Sequence, residues 1–564
     1  MKLFLATFVA LIGGAAMADD LRIPLALELM ENRETLIVGC KDGTLASIDT
    51  KLGRVRQMLE IGGSITDVKK VSDTELLATN FENGEVLRLQ IRQGRAEIAE
   101  RKKVGDFPVS LSVDPWKKRA YIIDKWRQRV ISVRFSPTLE LQGSCQLPFI
   151  PREQLLLANG KQLLVADAQG GNLAVLNADT LEIRSIRQLP AHNIRGLALN
   201  PDGDRIFISH QRLNPLARTT FDDIHWGMTM SNVVREIPVS AVLNPKTNLV
   251  DESRIWNLGT TGNGAGDPDD LSFLESDEIV IAVGGTGQIF WGKFGDTAPT
   301  RIATGARPTA LAIDEFSERI YVSNSLEDRI SVLDFDRKKV VGSIEIARKD
   351  LMISAAGRGQ QLFFNARLSH DGWMSCHSCH TNGHTNEQLA DTFGDRSFGT
   401  AKRIPSLLGR AQTAPFGWLG NKANLESQIE ATLESTMHHN GGGFTAQQVE
   451  DLVAFLKSLP SPPRFEVTSA ANRGKLLFRE LNCVRCHSGT AFTRNDAFEV
   501  GVRDEDGNTE FNPPSLLGIR YQRSFFHDGR FTSLESIFTE GNHQLDRPLT
   551  SNQLRDLTEY LRSL

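Results

Sequence analysis

Cysteine and tyrosine are scarce in this chain: its 564 residues contain 6 Cys and 4 Tyr. So few cysteines exclude a disulfide-built scaffold, and a chain of this length needs two or three hydrophobic cores instead. An excess of one charge is missing too. With 64 Lys+Arg against 69 Asp+Glu, the formal net charge of -5 gives no sign of nucleic-acid binding. Beyond the N-terminus no apolar run is long enough to span a bilayer. The early run from Leu3 to Ile12 follows Lys2 and leads to Ala16-Met17-Ala18 before Asp19-Asp20. At about ten residues it is too short for a membrane span. Its layout is that of an export signal, residues 1–18, cut after Ala18, and a soluble periplasmic protein is the expectation.

The few cysteines are not scattered at random. Four of them fall in Cys376-His377-Ser378-Cys379-His380 and Cys483-Val484-Arg485-Cys486-His487, each of the form C-x-x-C-H, the attachment site of a c-type haem. That spacing lets two thiols add to the two vinyl groups of one porphyrin while the adjacent imidazole reaches the iron. Zinc is the rival occupant of a C-x-x-C pair, but zinc does not require a His directly after both pairs. The expectation is two covalently bound haem c groups, held by Cys376, Cys379, Cys483 and Cys486, with His380 and His487 as iron ligands. Cys40 and Cys145 remain, in or beside strand-like segments. A disulfide between them is chemically possible outside the cytoplasm, and separate burial is the expected state.

Residues before about 350 repeat. A short apolar strand ending in a small or polar residue recurs with ends at 40, 80, 124, 167, 210, 284 and 324, as in Leu164-Val165-Ala166-Asp167 and Tyr321-Val322-Ser323-Asn324. Turns such as Asn200-Pro201-Asp202-Gly203 precede several of them. A period near 40 residues with several strands per unit is that of a propeller blade, and seven occurrences predict an all-β seven-bladed propeller over 19–350. One interval is long and places an insertion at about 211–231. It holds His225, Trp226, Met228 and Met230, which could ligate a metal or stack on a haem edge; a loop packing on a neighbouring domain is the expectation.

From 351 the pattern becomes helical and the chain duplicates itself. Pro405-Ser406-Leu407-Leu408-Gly409 returns as Pro514-Ser515-Leu516-Leu517-Gly518, and Leu425-Glu426-Ser427 as Leu534-Glu535-Ser536. Each half closes on an amphipathic helix, one carrying Val449, Leu452, Val453 and Leu456, the other Leu554, Leu557 and Leu561. Pro460, Pro462 and Pro463 mark the link. The fold class is therefore multidomain: the propeller, then a mainly α tandem of cytochrome-c-like units at 351–460 and 461–564.

The blades resemble the YVTN repeat family, with Tyr321-Val322-Ser323-Asn324 the nearest match, which speaks to fold and not to chemistry. The tandem resembles the bacterial dihaem cytochrome c peroxidase family, including its MauG-like branch. Arg358-Gly359 before Leu362-Phe363, both C-x-x-C-H motifs, Pro514-Ser515-Leu516 and Phe526-His527-Asp528-Gly529 carry that resemblance. It implies hydrogen peroxide at the first haem, a second haem that relays electrons, and calcium between the halves. It also implies a partner, either a small periplasmic electron-donor protein or a protein substrate docked on the propeller.

The family's distal Glu falls on Glu426, a candidate to move a proton between the peroxide oxygens. Trp418 and Phe416 are candidates to line the pocket or pass oxidising equivalents. The family's Gln and Asp near this segment are replaced by Phe416 and Leu419, which favours the MauG-like variant. His384 lies too close to His380 to cross to the other face of the iron, so the first haem is expected open and His384 at a propionate. At the second haem the family's Met or Tyr falls on Gly541. The closing helices are offset by 105 residues where the preceding segments are offset by 109, and the shorter offset pairs His543 with His438. His543 is the candidate sixth ligand, and His527 the candidate propionate anchor. The rival function is a non-catalytic electron-transfer or redox-sensing dihaem cytochrome.

Overall fold

Alternating apolar segments and tight turns fold the first part of the chain into seven four-stranded antiparallel sheets, each made of four consecutive strands. The computed structural model describes residues 21–348, 352–439 and 443–564. The expected export signal at 1–18 and the junction expected at 350/351 lie outside the described residues. The seven recurring segments are the second strands of the seven blades, from Thr35–Cys40 to Arg319–Asn324. These strands are covered on both faces by neighbouring blades and read as continuous apolar runs. An outer strand such as Ile183–Gln188 alternates half-buried and exposed residues because one of its faces meets solvent.

A propeller must also close its ring. Here the N–H groups of Arg22 and Ile23 both donate to the Asp328 carboxylate, each at 2.8 Å, and the Ser323 and Ser325 hydroxyls donate to the Pro24 carbonyl at 2.7 and 2.9 Å. The first strand is thereby tied to the seventh blade. Cys40 is buried in a second strand and Cys145 is half-buried on an outer one, and both are free thiols.

Blade five departs from its neighbours. Its second and third strands, Arg205–Leu213 and Met230–Pro238, have nine residues each. The hairpin they form overshoots the ring and carries the insertion, in which Thr220 caps a short helix at Phe221–His225. The insertion at 211–231 accounts for only part of the long interval. A helix at Val239–Leu243 and the stretch to the fourth strand, Arg254–Asn257, supply the rest.

The helical region is built twice on one plan. In the first half α1 (Ala355–Phe363) packs on α3 (Ala446–Ser458), with α2 (Leu425–Ala431) beside them; in the second α4 (Ser469–Glu480) packs on α6 (Ser551–Arg562), with α5 (Leu534–Thr539) beside them. Gly359 and Gly474 allow the close crossing. A Cβ on Gly359 would lie 1.9 Å from the Asp451 carbonyl oxygen, and one on Gly474 1.8 Å from that of Asp556. An ion pair braces each crossing: Arg358 grips Asp451 at 2.7 and 2.9 Å, and Arg473 grips Asp556 at 2.6 and 2.8 Å. The two aspartates were legible as the Asp-Leu pair common to both closing helices, Asp451-Leu452 and Asp556-Leu557. The first half shares its core with the propeller, through Leu21, Ile23 and Leu326. The second has a core of its own around Leu477, Phe478, Leu557 and Leu561. Among the described residues no helix is long and apolar enough to cross a membrane.

Candidate haem sites

The first C-x-x-C-H motif forms a single helical turn, Cys376–Cys379, capped by Ser375. Its intervening residues are spent on the propeller. His377 Nε2 lies 2.7 Å from Arg195 Nη2, and its Nδ1 accepts the Asn382 N–H at 3.0 Å. The Ser378 and Ser375 hydroxyls both donate to the Asp267 carboxylate, the former at 2.6 Å. Gln211 reaches Ser378, and Asn232 donates to the Trp373 carbonyl at 2.8 Å. Blades five and six therefore cage this motif. Replacing Asp267 with Ala leaves two buried hydroxyls without an acceptor and is expected to cost about 2 kcal/mol. Denaturant unfolding followed by haem absorbance measures it, and an unchanged midpoint would contradict this role. In the second motif the intervening residues are Val484 and Arg485, both exposed.

The two imidazoles that follow the cysteines are oriented alike. His380 Nδ1–H donates to the Pro405 carbonyl at 2.9 Å and His487 Nδ1–H to that of Phe492 at 3.1 Å. Each leaves Nε2 for an iron, the arrangement in which a second partner fixes tautomer and ring direction. Burial shifts both imidazoles down, His380 to about 4. It also pushes the Cys376 and Cys379 thiols up to about 12.

A cavity of about 350 Å³ opens over Cys376, Cys379 and His380, a size in the range of cofactor pockets. One face of α2 and the turn after it lines the cavity with Leu425, Gln428, Ile429, Thr432 and Leu433. Phe416 and Trp418 face it as well, and the wall extends to Pro514 and Ser515 of the second half. Arg403 Nη1 is buried on this wall without a hydrogen-bond partner, a place that a porphyrin carboxylate would satisfy. The residues present thus fit a haem.

Glu426 is half-buried but is not among the lining residues. The face takes positions 425, 428, 429, 432 and 433, spaced by three and four, and 426 is turned away by one residue. The first polar side chain that α2 sends to the wall is Gln428, which donates to Thr432 Oγ1 at 3.2 Å. It escaped the sequence comparison because that followed the Leu-Glu-Ser identity and not the helical period. Met437 also lines the cavity. His384 does not: it is buried against Trp126 of the propeller at 5.8 Å, and neither of its ring nitrogens has a hydrogen-bond partner.

In the second half, His543 lines a cavity of about 290 Å³ with Phe526, Phe531 and Gly541. Burial and the nearby His487 together hold its imidazole down to about 4, and its Nδ1 has no partner. His438, its counterpart in the first half, is turned the other way. Its Nε2–H donates to the Thr219 carbonyl of the blade-five insertion at 2.8 Å, off the cavity wall.

Between the two sites stand Trp418 and His527. Trp418 donates to the Arg403 carbonyl at 2.8 Å and lies edge-on to His527 at 6.4 Å. His527 is buried and stacked on Phe511 at 4.4 Å, and its Nε2 has no partner. It lines neither of the two cavities. The halves are also tied by Lys402, whose ammonium pairs with Asp395 and, at 3.3 Å, with Asp504.

Comparison with known proteins agrees with this geometry. Residues 355–466 and 477–559 match the family described as di-haem cytochrome c peroxidase. The methylamine utilization protein MauG of Methylophilus methylotrophus is 25% identical over 245 residues, 33% of this chain and 72% of that protein. Cytochrome c551 peroxidase of Nitrosomonas europaea is 24% identical over 262 residues, 36% of this chain and 78% of that protein. The hydrazine synthase subunit gamma of Kuenenia stuttgartiensis is 24% identical over 269 residues, 36% of this chain and 76% of that protein. A solved chain of Kuenenia stuttgartiensis hydrazine synthase superposes with a TM-score of 0.50 at 17% identity, covering 57% of this chain and 98% of its own, a likeness of fold. The chain is thus a seven-bladed propeller followed by a domain of the di-haem cytochrome c peroxidase family, and with it a dihaem c-type oxidoreductase.

Proposed function

We propose that this oxidoreductase uses hydrogen peroxide at the first site and draws electrons through the second, in the periplasm. The observation that carries the reading is the opposite fate of two paired histidines: His543 lines a cavity and lies within electrostatic reach of His487, while His438 is bonded to Thr219. Bound haem c supplies the iron at which peroxide is reduced and between which electrons pass. The protein supplies the rest. Gln428 presents an amide to whatever occupies the first cavity, and an amide can orient peroxide by hydrogen bonding but cannot carry its proton. Glu426, half-buried one residue off that face, serves as the proton source, reached through water. Trp418 and His527 bridge the two sites. The exposed Val484-Arg485 edge of the second motif is where a small cytochrome, a cupredoxin or an oxidisable side chain of a protein substrate approaches. The caged edge of the first motif is closed to such a partner.

Peroxide turnover with an artificial reductant tests this. Wild type consumes peroxide, and Glu426→Gln lowers the rate by about a hundredfold at unchanged haem content. No consumption by wild type would overturn the reading, and an unchanged Glu426→Gln rate would remove Glu426 from it. A second reading, an electron-transfer or sensing cytochrome without turnover, is favoured by Met437 on the first wall, since a thioether can fill a sixth position.

A further inference from the structure

The blade-five insertion ends on the loop that leads into the first motif, and the contact between them is made of metal-ligating atoms. His225 Nδ1 lies 2.7 Å from Asp371 Oδ2, and His370 Nε2 lies 3.1 Å from the same oxygen. The donor atoms of the three residues all fall within 4.8 Å of one another, and among the described residues no other group of three His, Cys, Asp or Glu side chains does so. With bonds of about 2.0–2.1 Å, ligand atoms stand about 3.3 Å apart on a tetrahedral metal ion and about 3.0 Å apart on an octahedral one. The two separations from the Asp371 oxygen, 2.7 and 3.1 Å, bracket the octahedral edge.

Hydrogen bonding alone does not account for the group. His370 Nε2 is buried, and despite its closeness to the carboxylate it has no hydrogen-bond partner. A buried polar atom without a partner costs on the order of a hydrogen bond, and a metal ion would take its lone pair. The three donors are also held from outside the group. The His370 N–H donates to the Met437 carbonyl at 2.8 Å, and the Asp371 carbonyl accepts from the Gly264 N–H at 2.7 Å. Phe221 packs on His370 at 4.1 Å and lies parallel to the His225 ring at 6.2 Å. His370 and Asp371 have side chains 16% and 15% exposed, while His225 is 36% exposed, so a further position opens to water on the His225 side.

We propose that His225, His370 and Asp371 bind one divalent first-row transition-metal ion, which clamps the propeller insertion to the haem domain. Two imidazoles and one carboxylate suit zinc, copper, iron or nickel. Calcium and magnesium prefer sites made wholly of oxygen. The clamp lies just upstream of Trp373 and Met374, which pack with Ile224 and Met230 of blade five and against Cys379. It would therefore steady the segment that leads into the first motif. This site is separate from the peroxide chemistry, and its test does not depend on activity.

Untagged holoprotein carrying both haems is dialysed against a chelator and then equilibrated with Zn2+ alone. Bound zinc and iron are counted by mass spectrometry after gel filtration. The expected result is one zinc beside two irons, with a zinc-dependent rise in Tm. His225→Ala and Asp371→Asn are each expected to weaken zinc binding by roughly a hundredfold and to abolish the rise in Tm, while keeping the haem spectrum and the zinc-free Tm. His225 sits in an insertion outside the blades, so its replacement spares the cores. Wild type that retains no stoichiometric zinc overturns the proposal, and so does binding that both variants leave unchanged.

Discussion

Replacing His543 with alanine is expected to turn the second iron from low-spin to high-spin while the first keeps its spectrum. The imidazole faces its cavity with Phe526 and Phe531 around it, and burial and the nearby His487 lower its pKa to about 4. Its Nδ1 has no hydrogen-bond partner. A half-buried histidine with that setting is available to a metal. The effect is all-or-none in amplitude: one of the two haems changes state. Because two imidazoles lack the potential-raising effect of a Met ligand, the potential of the second haem shifts as well. An unchanged spectrum in His543→Ala would remove this residue from the iron.

Gly474→Ala, and likewise Gly359→Ala, is expected to cost about 3 kcal/mol, near the upper end for an overpacked core. The added carbon would meet a backbone carbonyl oxygen at 1.8 or 1.9 Å. Backbone cannot rotate away as a side chain can, so the helix pair must separate. In the second half that pair is α4 and α6, which carry Leu477, Phe478, Leu557 and Leu561 of its core. Thermal unfolding monitored by haem absorbance of that half should show the loss. A melting curve matching wild type would mean that the crossing is looser than described.

Much of this architecture was legible in the sequence, because repetition is a strong signal. Seven recurring apolar segments gave seven blades, since each blade needs one strand covered on both faces. The duplicated Arg-Gly, Pro-Ser-Leu and closing-helix patterns gave the two helical halves in the same way. Individual side-chain directions were less legible. Glu426 matched a family position, yet the helical period sends Gln428 and not Glu426 to the cavity wall. His384 read as a haem neighbour and instead packs on Trp126, because sequence does not say which propeller residue will come to meet it. His438 and His543 aligned as equals. What separates them is Thr219, more than two hundred residues upstream, which no local pattern could announce. The residues inside each C-x-x-C-H motif did hold an unused signal, since polar His377-Ser378 meet partners where Val484-Arg485 meet solvent.

That inequality of the two halves is the central claim, and electron paramagnetic resonance of the ferric protein tests it most directly. One high-spin and one low-spin haem in equal amounts is the predicted spectrum, with the high-spin signal vanishing on one equivalent of peroxide. Two low-spin haems that ignore peroxide would contradict the account and place a ligand, such as Met437 of the cavity wall, on the first iron.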